Sequence, residues 1–133
     1  MSDETQRNPE RTIQFVCHHG AFRSRIAAAY FAALAPEGWS AIAGGVTPQS
    51  EVSERLRPLL EGTEAEPFMD ESNPQVATTG AAIRTIAIDA NMPLADETWR
   101  TSEGEPPSNE DLREEIRRRV ERLVRDLPET PAL

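Results

Sequence analysis

The chain has 133 residues, which suits one domain built around a single core. Its formal net charge is −9, so neither nucleic acid nor an anionic membrane is an expected partner. All 14 of its cationic side chains are arginines, a bias that is compatible with a local site for an oxyanion. A single cysteine, Cys17, excludes an internal disulfide and a zinc site built from cysteine pairs. Because no apolar segment is long enough for a signal peptide or a membrane span, we expect a soluble, cytoplasmic protein.

Both ends of the chain are polar or contain proline, so we expect residues 1–11 and 128–133 to be flexible tails around a folded domain of residues 12–127. Residues 12–16 have the β-branched and aromatic composition of a strand and lead directly into Cys17. The alanine-rich segment 23–34 predicts a helix. The beginning of the domain is therefore a strand, a tight loop and a helix.

The middle of the chain repeats this alternation. Residues 39–43, which run into two glycines, predict a second strand, and a helix is expected from Gln49 onward, with Pro58 interrupting it or bending its last turn. Residues 64–68 are compatible with a short strand or with a connector. Residues 84–89 predict a buried strand.

The late part of the chain combines an irregular segment with a well-defined helix. Residues 91–107 are rich in proline, glycine and acids and predict a long loop, which in a compact domain is usually functional or mobile. Ser108 is placed to cap an amphipathic helix that continues to Leu127. Strands that alternate with helices predict an α/β fold with a parallel sheet and an active site beyond the carboxyl ends of the strands.

The segment that carries chemistry is Cys17-His18-His19-Gly20-Ala21-Phe22-Arg23-Ser24, a C-x5-R-S pattern between a predicted strand and a predicted helix. Such a loop at a helix N-terminus directs backbone N–H groups from His18, His19, Gly20, Ala21 and Phe22 toward one anion. The planar guanidinium of Arg23 matches two oxygens of phosphate or arsenate. These positive surroundings favour a thiolate at Cys17, and the hydroxyl of Ser24 is placed to stabilise it.

Two other interpretations of these residues remain open. A lone cysteine is often an inert, buried side chain, although the strand before it and the helix after it favour a functional role here. The two histidines and Cys17 are also metal-ligand types, but residues this close in sequence rarely all reach one ion. We expect no metal and no cofactor, with His18 and His19 in the loop wall.

These residues resemble the low-molecular-weight protein tyrosine phosphatases and their arsenate reductase relatives. Residues 15–24 and the helix after them look like the family's signature loop and first helix, and residues 43–48 look like the turn after its second strand. His19 makes the loop somewhat more similar to the reductase branch. The resemblance covers residues 12–127 and implies a three-layer αβα architecture with a four-stranded parallel sheet, like phosphotyrosine protein phosphatase I.

The sequence departs from the family's pattern at two places. Gly20 stands where the family usually has an asparagine that braces the loop, so bracing is expected from elsewhere, with His19 and Ser40 as candidates. The family's general acid is an Asp followed by Pro in the late loop, and this chain has no Asp-Pro. The acid matters because a phenolate or alkoxide leaves poorly without a proton, an effect of about 10²- to 10⁴-fold.

Three acidic residues, Asp96, Glu103 and Glu105, are candidates for that role. Asp96 and Glu103 are the primary ones. Glu103 has the spacing from Trp99 that the family's Asp often has. Glu105 precedes two prolines, and Asp89, at the end of a predicted strand, either faces the pocket or caps the loop. For each candidate, an ordinary exposed acid on an acidic protein is the competing interpretation.

Three functions remain in order of preference. The first is hydrolysis of phosphate monoesters, including phosphotyrosine in a phosphoprotein, through a phosphocysteine at Cys17. The second is arsenate reduction, in which an external thiol or a redoxin partner completes the cycle because the chain has no second cysteine. The third is an inactive oxyanion-binding module.

Overall fold

A computed structural model describes residues 11–78, 84–93, 95–101 and 108–127. Within these ranges four strands form one parallel sheet in the order β2-β1-β3-β4. The strands are β1 (Thr12–Cys17), β2 (Ser40–Gly45), β3 (Arg84–Ile88) and β4 (Glu97–Trp99). The predicted α/β class and the four-stranded parallel sheet are confirmed, whereas the predicted tails, apart from Arg11, lie outside the described residues.

The helices pack together and cover one face of the sheet. They are α1 (Arg23–Leu34), α2 (Leu56–Leu60) and α3 (Asn109–Arg125), and α1 contacts both of the others. Alternate residues of the two central strands, Ile13 and Phe15 in β1 and Ile86 and Ile88 in β3, are fully buried in the same core as these helices. No helix in the described ranges has both the length and the apolar character needed to cross a membrane.

The opposite face of the sheet is met by an extended segment near residue 78. Gln14 of β1 accepts a hydrogen bond from the backbone N–H of Thr78 and donates one to its carbonyl oxygen, at 2.9 and 3.0 Å. A parallel bridge also joins Val76 to Gly45 at the carboxyl end of β2. This segment therefore lies beside the end of the sheet that carries Cys17.

The helix predicted from Gln49 is shorter than expected and begins only at Leu56. The backbone N–H groups of Gln49 and Ser53 donate to carbonyls of residues 19 and 21, so they cannot take part in helical hydrogen bonds. Pro58 lies in the first turn of α2, where its missing N–H leaves no helical hydrogen bond unmade. The expectation that Pro58 interrupts a longer helix was wrong.

The structure defines two further segments. Of the two expected alternatives for residues 64–68, the connector is the one present, with a turn of 3₁₀ helix over Glu66–Phe68. The region expected to be irregular contains β4, a three-residue edge strand that pairs Glu97 with Ile86 and Trp99 with Ile88. A strand this short has little local signal, because its partner strand and the burial of Trp99 define it.

The C-terminal helix agrees with its sequence pattern. The hydroxyl oxygen of Ser108 accepts a hydrogen bond from the N–H of Asp111 at 3.1 Å, which is the expected N-cap. The apolar stripe packs into the core through its fully or nearly buried residues, which are Leu112, Ile116, Val120 and Leu123.

Candidate active site

Residues 17–24, here called the cysteine loop, lie at the carboxyl end of the sheet. Cys17 is the last residue of β1 and pairs with Gly45, the last residue of β2, while α1 begins at Arg23. Asp89 follows β3 at the same edge. The fold thus brings the ends of three adjacent strands together around the loop.

The carbonyl groups of the cysteine loop are fixed by donors from outside it. Five consecutive carbonyl oxygens, from residue 17 to residue 21, each accept one hydrogen bond at 2.8 to 3.3 Å. The donors are the N–H groups of Val46, Thr47, Gln49 and Ser53 and the Nε–H of Arg25. The loop is therefore braced by the chain between β2 and α2 and by a residue of α1.

This bracing determines where the loop's N–H groups point. In a trans peptide the N–H lies opposite the preceding carbonyl, so the N–H groups of residues 18–22 face away from the donors. None of them donates to another described residue. They are donors without a described partner just before the N-terminus of α1, a position at which backbone N–H groups can bind a tetrahedral anion.

Cys17 lines the cavity next to the loop and has a polar partner on α1. Its Sγ is 3.2 Å from the Oγ of Ser24, which is fully buried, and its own exposed fraction is 6%. A thiol donates to Ser24, whereas a thiolate accepts from the Ser24 hydroxyl. The predicted proximity of the Cys17 sulfur and the Ser24 hydroxyl is present in the structure.

Arg23 is half-exposed and lies beside an acid at the end of β3. Its Nε is 3.2 Å from Oδ2 of Asp89, close enough for an ion pair. The N–H direction misses the carboxylate, however, so this buried Nε has no hydrogen-bond partner among the described residues. A bound oxyanion can supply the missing acceptor.

Asp89 is held in an uncommon backbone conformation, with φ of +50°. One carboxylate oxygen accepts a hydrogen bond from the backbone N–H of Thr101 at 2.9 Å, and the other accepts one from the Thr101 hydroxyl. Left-handed backbone at a residue other than glycine is often found at functional sites. Asp89 thus joins the loop after β4 to the guanidinium of Arg23.

These groups line a cavity of about 130 Å³. A water molecule takes about 30 Å³ in the liquid, so the cavity has room for several groups of that size. Its lining contains Cys17, His18, His19, Ala21, Phe22, Arg23, Gln49, Ser53, Arg55, Ile88 and Asp89. The site is therefore cationic within an acidic chain, with one acid on its described wall.

The two histidines are exposed and lie at the mouth of the cavity, with their rings 4.4 Å apart in an edge-to-face arrangement. In the described part of the chain, no group of three His, Cys, Asp or Glu side chains is arranged to hold a metal ion.

At Gly20, where the resemblance implies a bracing asparagine, the backbone itself makes a close contact. It adopts a φ of +67° and packs directly on Gly45, where an added Cβ would come within 2.8 Å of a backbone nitrogen. Ser40 was expected as a brace, but its hydroxyl contacts that of Thr12 at the far end of the strands. The side chain of His19 is exposed, and only its carbonyl contributes to the bracing.

The candidate acids do not all reach the site. Asp96 lies at the opposite end of β3, where its carboxylate accepts a hydrogen bond from the N–H of Thr85 at 2.7 Å. Asp89 is four residue steps along the chain from Thr85, about 13 Å at 3.3 Å per residue. The structure therefore separates Asp96 from Cys17, whereas Glu103 and Glu105 lie outside the described residues.

Sequence reasoning missed the segment that supplies Gln49, Ser53 and Arg55 to the cavity. The guanidinium of Arg55 lies 4.3 Å from the ring centre of Phe22, a cation–π contact that holds it against the wall. Arg55 falls within the helix predicted from Gln49, where an arginine carries no functional signal of its own.

Comparison with known proteins gives structural but not sequence relatives. No family model matches the chain, and a search of curated proteins finds no match. Among solved structures, an arsenate reductase from Archaeoglobus fulgidus aligns with a TM-score of 0.66 and 24% identity over 86% of this chain and 99% of that one. A low molecular weight protein tyrosine phosphatase from Streptococcus pyogenes aligns with a TM-score of 0.68 and 11% sequence identity, over 90% of this chain and 95% of that one.

A third structure is a thioredoxin-dependent arsenate reductase from Corynebacterium glutamicum, with a TM-score of 0.66 and 22% identity. The alignment covers 90% of this chain but 62% of that one. The TM-scores establish the fold, whereas identities this low leave the activity open. The chain has the fold shared by arsenate reductases and low molecular weight protein tyrosine phosphatases.

Proposed function

We propose that this protein is a cysteine-dependent phosphatase that hydrolyses phosphate monoesters, with phosphotyrosine in a phosphoprotein as one candidate substrate. The observation that carries the proposal is the backbone of the cysteine loop. Its carbonyls are tied to donors outside the loop, its N–H groups have no partner among the described residues, and Arg23, with its unpartnered Nε, lines the same cavity as Cys17. Preorganised donors of this kind stabilise charge that develops on a transferring phosphoryl group.

In the first step, the thiolate of Cys17 attacks phosphorus. The S–P bond forms as the bond from phosphorus to the ester oxygen breaks, and the departing oxygen takes a proton from a carboxylic acid. Asp89 lines the cavity and is the described candidate for this acid, with Glu103 and Glu105 as the others. Arg23 and the loop N–H groups hold the three remaining phosphoryl oxygens.

In the second step, water attacks phosphorus and the S–P bond breaks, which releases inorganic phosphate and returns the thiolate. The same carboxylate takes a proton from the attacking water. Ser24 lowers the activation free energy of this step, because its hydroxyl donates a hydrogen bond to the sulfur as negative charge returns to the sulfur. This cycle requires no thiol from outside the chain.

Arsenate reduction is the second candidate, and the surroundings of Asp89 favour it. Both carboxylate oxygens of Asp89 already accept a hydrogen bond from Thr101, and one lies beside Arg23, so fewer sites of this carboxylate remain for a leaving group. In this reaction the thiolate of Cys17 binds arsenic with loss of water. An external thiol then attacks the sulfur, which releases arsenite and leaves a mixed disulfide that a second thiol or a redoxin reduces.

Two assays on the purified protein separate the candidates. The first follows release of p-nitrophenolate from p-nitrophenyl phosphate and of phosphate from a phosphotyrosine peptide. The second couples arsenate reduction to glutathione or thioredoxin and follows NADPH oxidation. Cys17→Ser is the control in both, because it preserves the size of the side chain and removes the strong nucleophile.

Ester hydrolysis that Cys17→Ser abolishes supports the phosphatase, whereas ester hydrolysis that persists in this variant refutes it. Cysteine-dependent arsenate reduction without ester hydrolysis selects the reductase. Phosphate binding by calorimetry without turnover of either substrate selects the inactive oxyanion-binding module.

A further inference from the structure

Arg25 is the single buried arginine among the described residues, with 3% of its surface exposed. It lies in the first turn of α1, two residues after Arg23, but it does not line the cavity. Burying a guanidinium has a high desolvation cost unless hydrogen bonds and a counter-charge offset it. The contacts of Arg25 therefore indicate what its charge does.

These contacts are two backbone carbonyls and one acid. The Nε–H donates to the carbonyl oxygen of Gly20 at 2.9 Å, and Nη1–H donates to that of Asp70 at 2.6 Å. Nη1 also lies 3.7 Å from the carboxylate of Asp70. Burial raises the pKa of Asp70, but hydrogen bonds from Ser72 and the charge of Arg25 outweigh it and hold that pKa below its usual range.

The contact with Gly20 acts on the most pliable peptide of the cysteine loop. Gly20 has a φ of +67° and no side chain, so it restricts the rotation of its own peptide less than other residues do. The N–H of Ala21 lies opposite the Gly20 carbonyl in the same peptide plane. A donor that holds this carbonyl outward therefore holds the Ala21 N–H toward the cavity, which Ala21 lines.

We propose that Arg25 is a positioning residue for the oxyanion site, which acts by fixing the Gly20–Ala21 peptide so that the Ala21 N–H faces the bound anion. The inference rests on the proposed function only in taking the cysteine loop as the anion-binding element. Arg25 does not touch the substrate, and its link to Asp70 anchors it to the chain that follows the 3₁₀ turn.

Arg25→Met removes the donor and keeps most of the length of the side chain. One misdirected N–H is a lost hydrogen bond to a charged group, so the Kd for inorganic phosphate rises about 10- to 100-fold. Arg25→Lys keeps the charge with a differently placed donor and gives an intermediate Kd. Alkylation of Cys17 by iodoacetamide also shifts to higher pH in Arg25→Met, because the loop stabilises the thiolate less.

Arg113→Met is the matched control. Arg113 also donates from Nη1 to a backbone carbonyl, that of Leu59 at 2.9 Å, but it lies on α3 away from the cysteine loop. Its replacement lowers the melting temperature and leaves the phosphate Kd and the alkylation profile unchanged. Calorimetry with phosphate, alkylation between pH 5 and about 9 and thermal unfolding are measured on every variant.

A weaker phosphate affinity in Arg25→Met, with partial recovery in Arg25→Lys, supports the proposal. An unchanged Kd and an unchanged alkylation profile overturn it, even when the melting temperature falls, because a purely structural role predicts that result. If Arg25→Met does not fold, Arg25→Lys decides between the same two outcomes. If the wild-type protein binds phosphate but turns over neither substrate, the proposed enzymatic function is refuted. The role of Arg25 in phosphate binding is still tested by the same variants.

Discussion

The contact between Gly20 and Gly45 predicts that one added methyl group disables the site. A Cβ placed on Gly45 would lie 2.7 Å from both the backbone nitrogen of Gly20 and the carbonyl carbon of His19. Both are backbone atoms in a loop braced by hydrogen bonds, so no side-chain rotation relieves the overlap. In Gly45→Ala the cysteine loop and the end of β2 must therefore move apart.

The size of the effect follows from that distance. Ordinary contact begins at 3.4 Å, so the atoms must separate by 3.4 − 2.7, about 0.7 Å. A catalytic constellation tolerates about 0.5 Å, and a misplacement of 1 Å costs about 10²-fold in rate. We expect kcat/KM to fall about 100-fold and the free energy of unfolding to fall by about 1 to 3 kcal/mol through overpacking.

Gly44→Ala is the matched control for Gly45→Ala. A Cβ on Gly44 would meet Ala77, at 2.9 Å from its Cα, and not the cysteine loop. Its cost in stability is similar, but its kcat/KM stays within about threefold of wild type, as does its phosphate Kd. Activity is measured well below the melting temperature of each variant, with p-nitrophenyl phosphate or arsenate as the substrate that wild type accepts.

Equal activity losses in Gly44→Ala and Gly45→Ala would show that the reasoning is wrong, because overpacking on either side of β2 would then disturb the site alike. Wild-type activity in a folded Gly45→Ala would also refute it. In that case the close backbone contact does not define the geometry of the loop.

Three further predictions concern single side chains. Ser24→Ala lowers kcat about tenfold or more with little change in KM, measured by steady-state kinetics, because a hydrogen bond to the sulfur anion is lost; an unchanged kcat contradicts this role. Arg55→Ala raises KM for an anionic substrate severalfold with kcat retained, since Arg55 lines the wall, and a KM independent of this change removes it from the site. A hydrogen bond from Arg117 holds the pKa of Glu64 below its ordinary value of 4.5, so the pair stabilises the fold above about pH 4.5 and loses that effect as pH falls through the folded pKa. Glu64→Gln therefore lowers stability by at most about 1 kcal/mol at neutral pH, and the difference in melting temperature shrinks as pH falls through the folded pKa of Glu64; a difference that stays constant as the pH is lowered contradicts the pairing.

Local patterns predicted the elements whose signals are local. The strand before Cys17, the alanine-rich helix and the capped amphipathic helix all follow from composition, periodicity and a cap residue. The three-residue strand β4 and the late start of α2 did not follow, because each depends on a distant partner. β4 exists through its pairing with β3, and α2 begins late because residues 49 and 53 donate to the cysteine loop.

The candidate site likewise combines residues that a local pattern predicted with residues that depend on distant partners. The C-x5-R-S pattern identified Cys17, Arg23 and Ser24, which the structure brings together. The bracing donors were not predictable, since a backbone N–H carries no sequence signature and Arg25 resembles any helical arginine. Asp96 was chosen by its place in an irregular segment, and only the register of β3 and β4 reveals that it lies at the other end of the sheet.

The most direct test is a crystal structure of the protein with orthovanadate, a tetrahedral anion that mimics phosphate and arsenate. We predict vanadate within bonding distance of the Cys17 sulfur, with oxygens that accept hydrogen bonds from Arg23 and from the backbone N–H groups of residues 18–22. Vanadate bound elsewhere, or a cysteine loop whose N–H groups face away from the anion, would contradict the account.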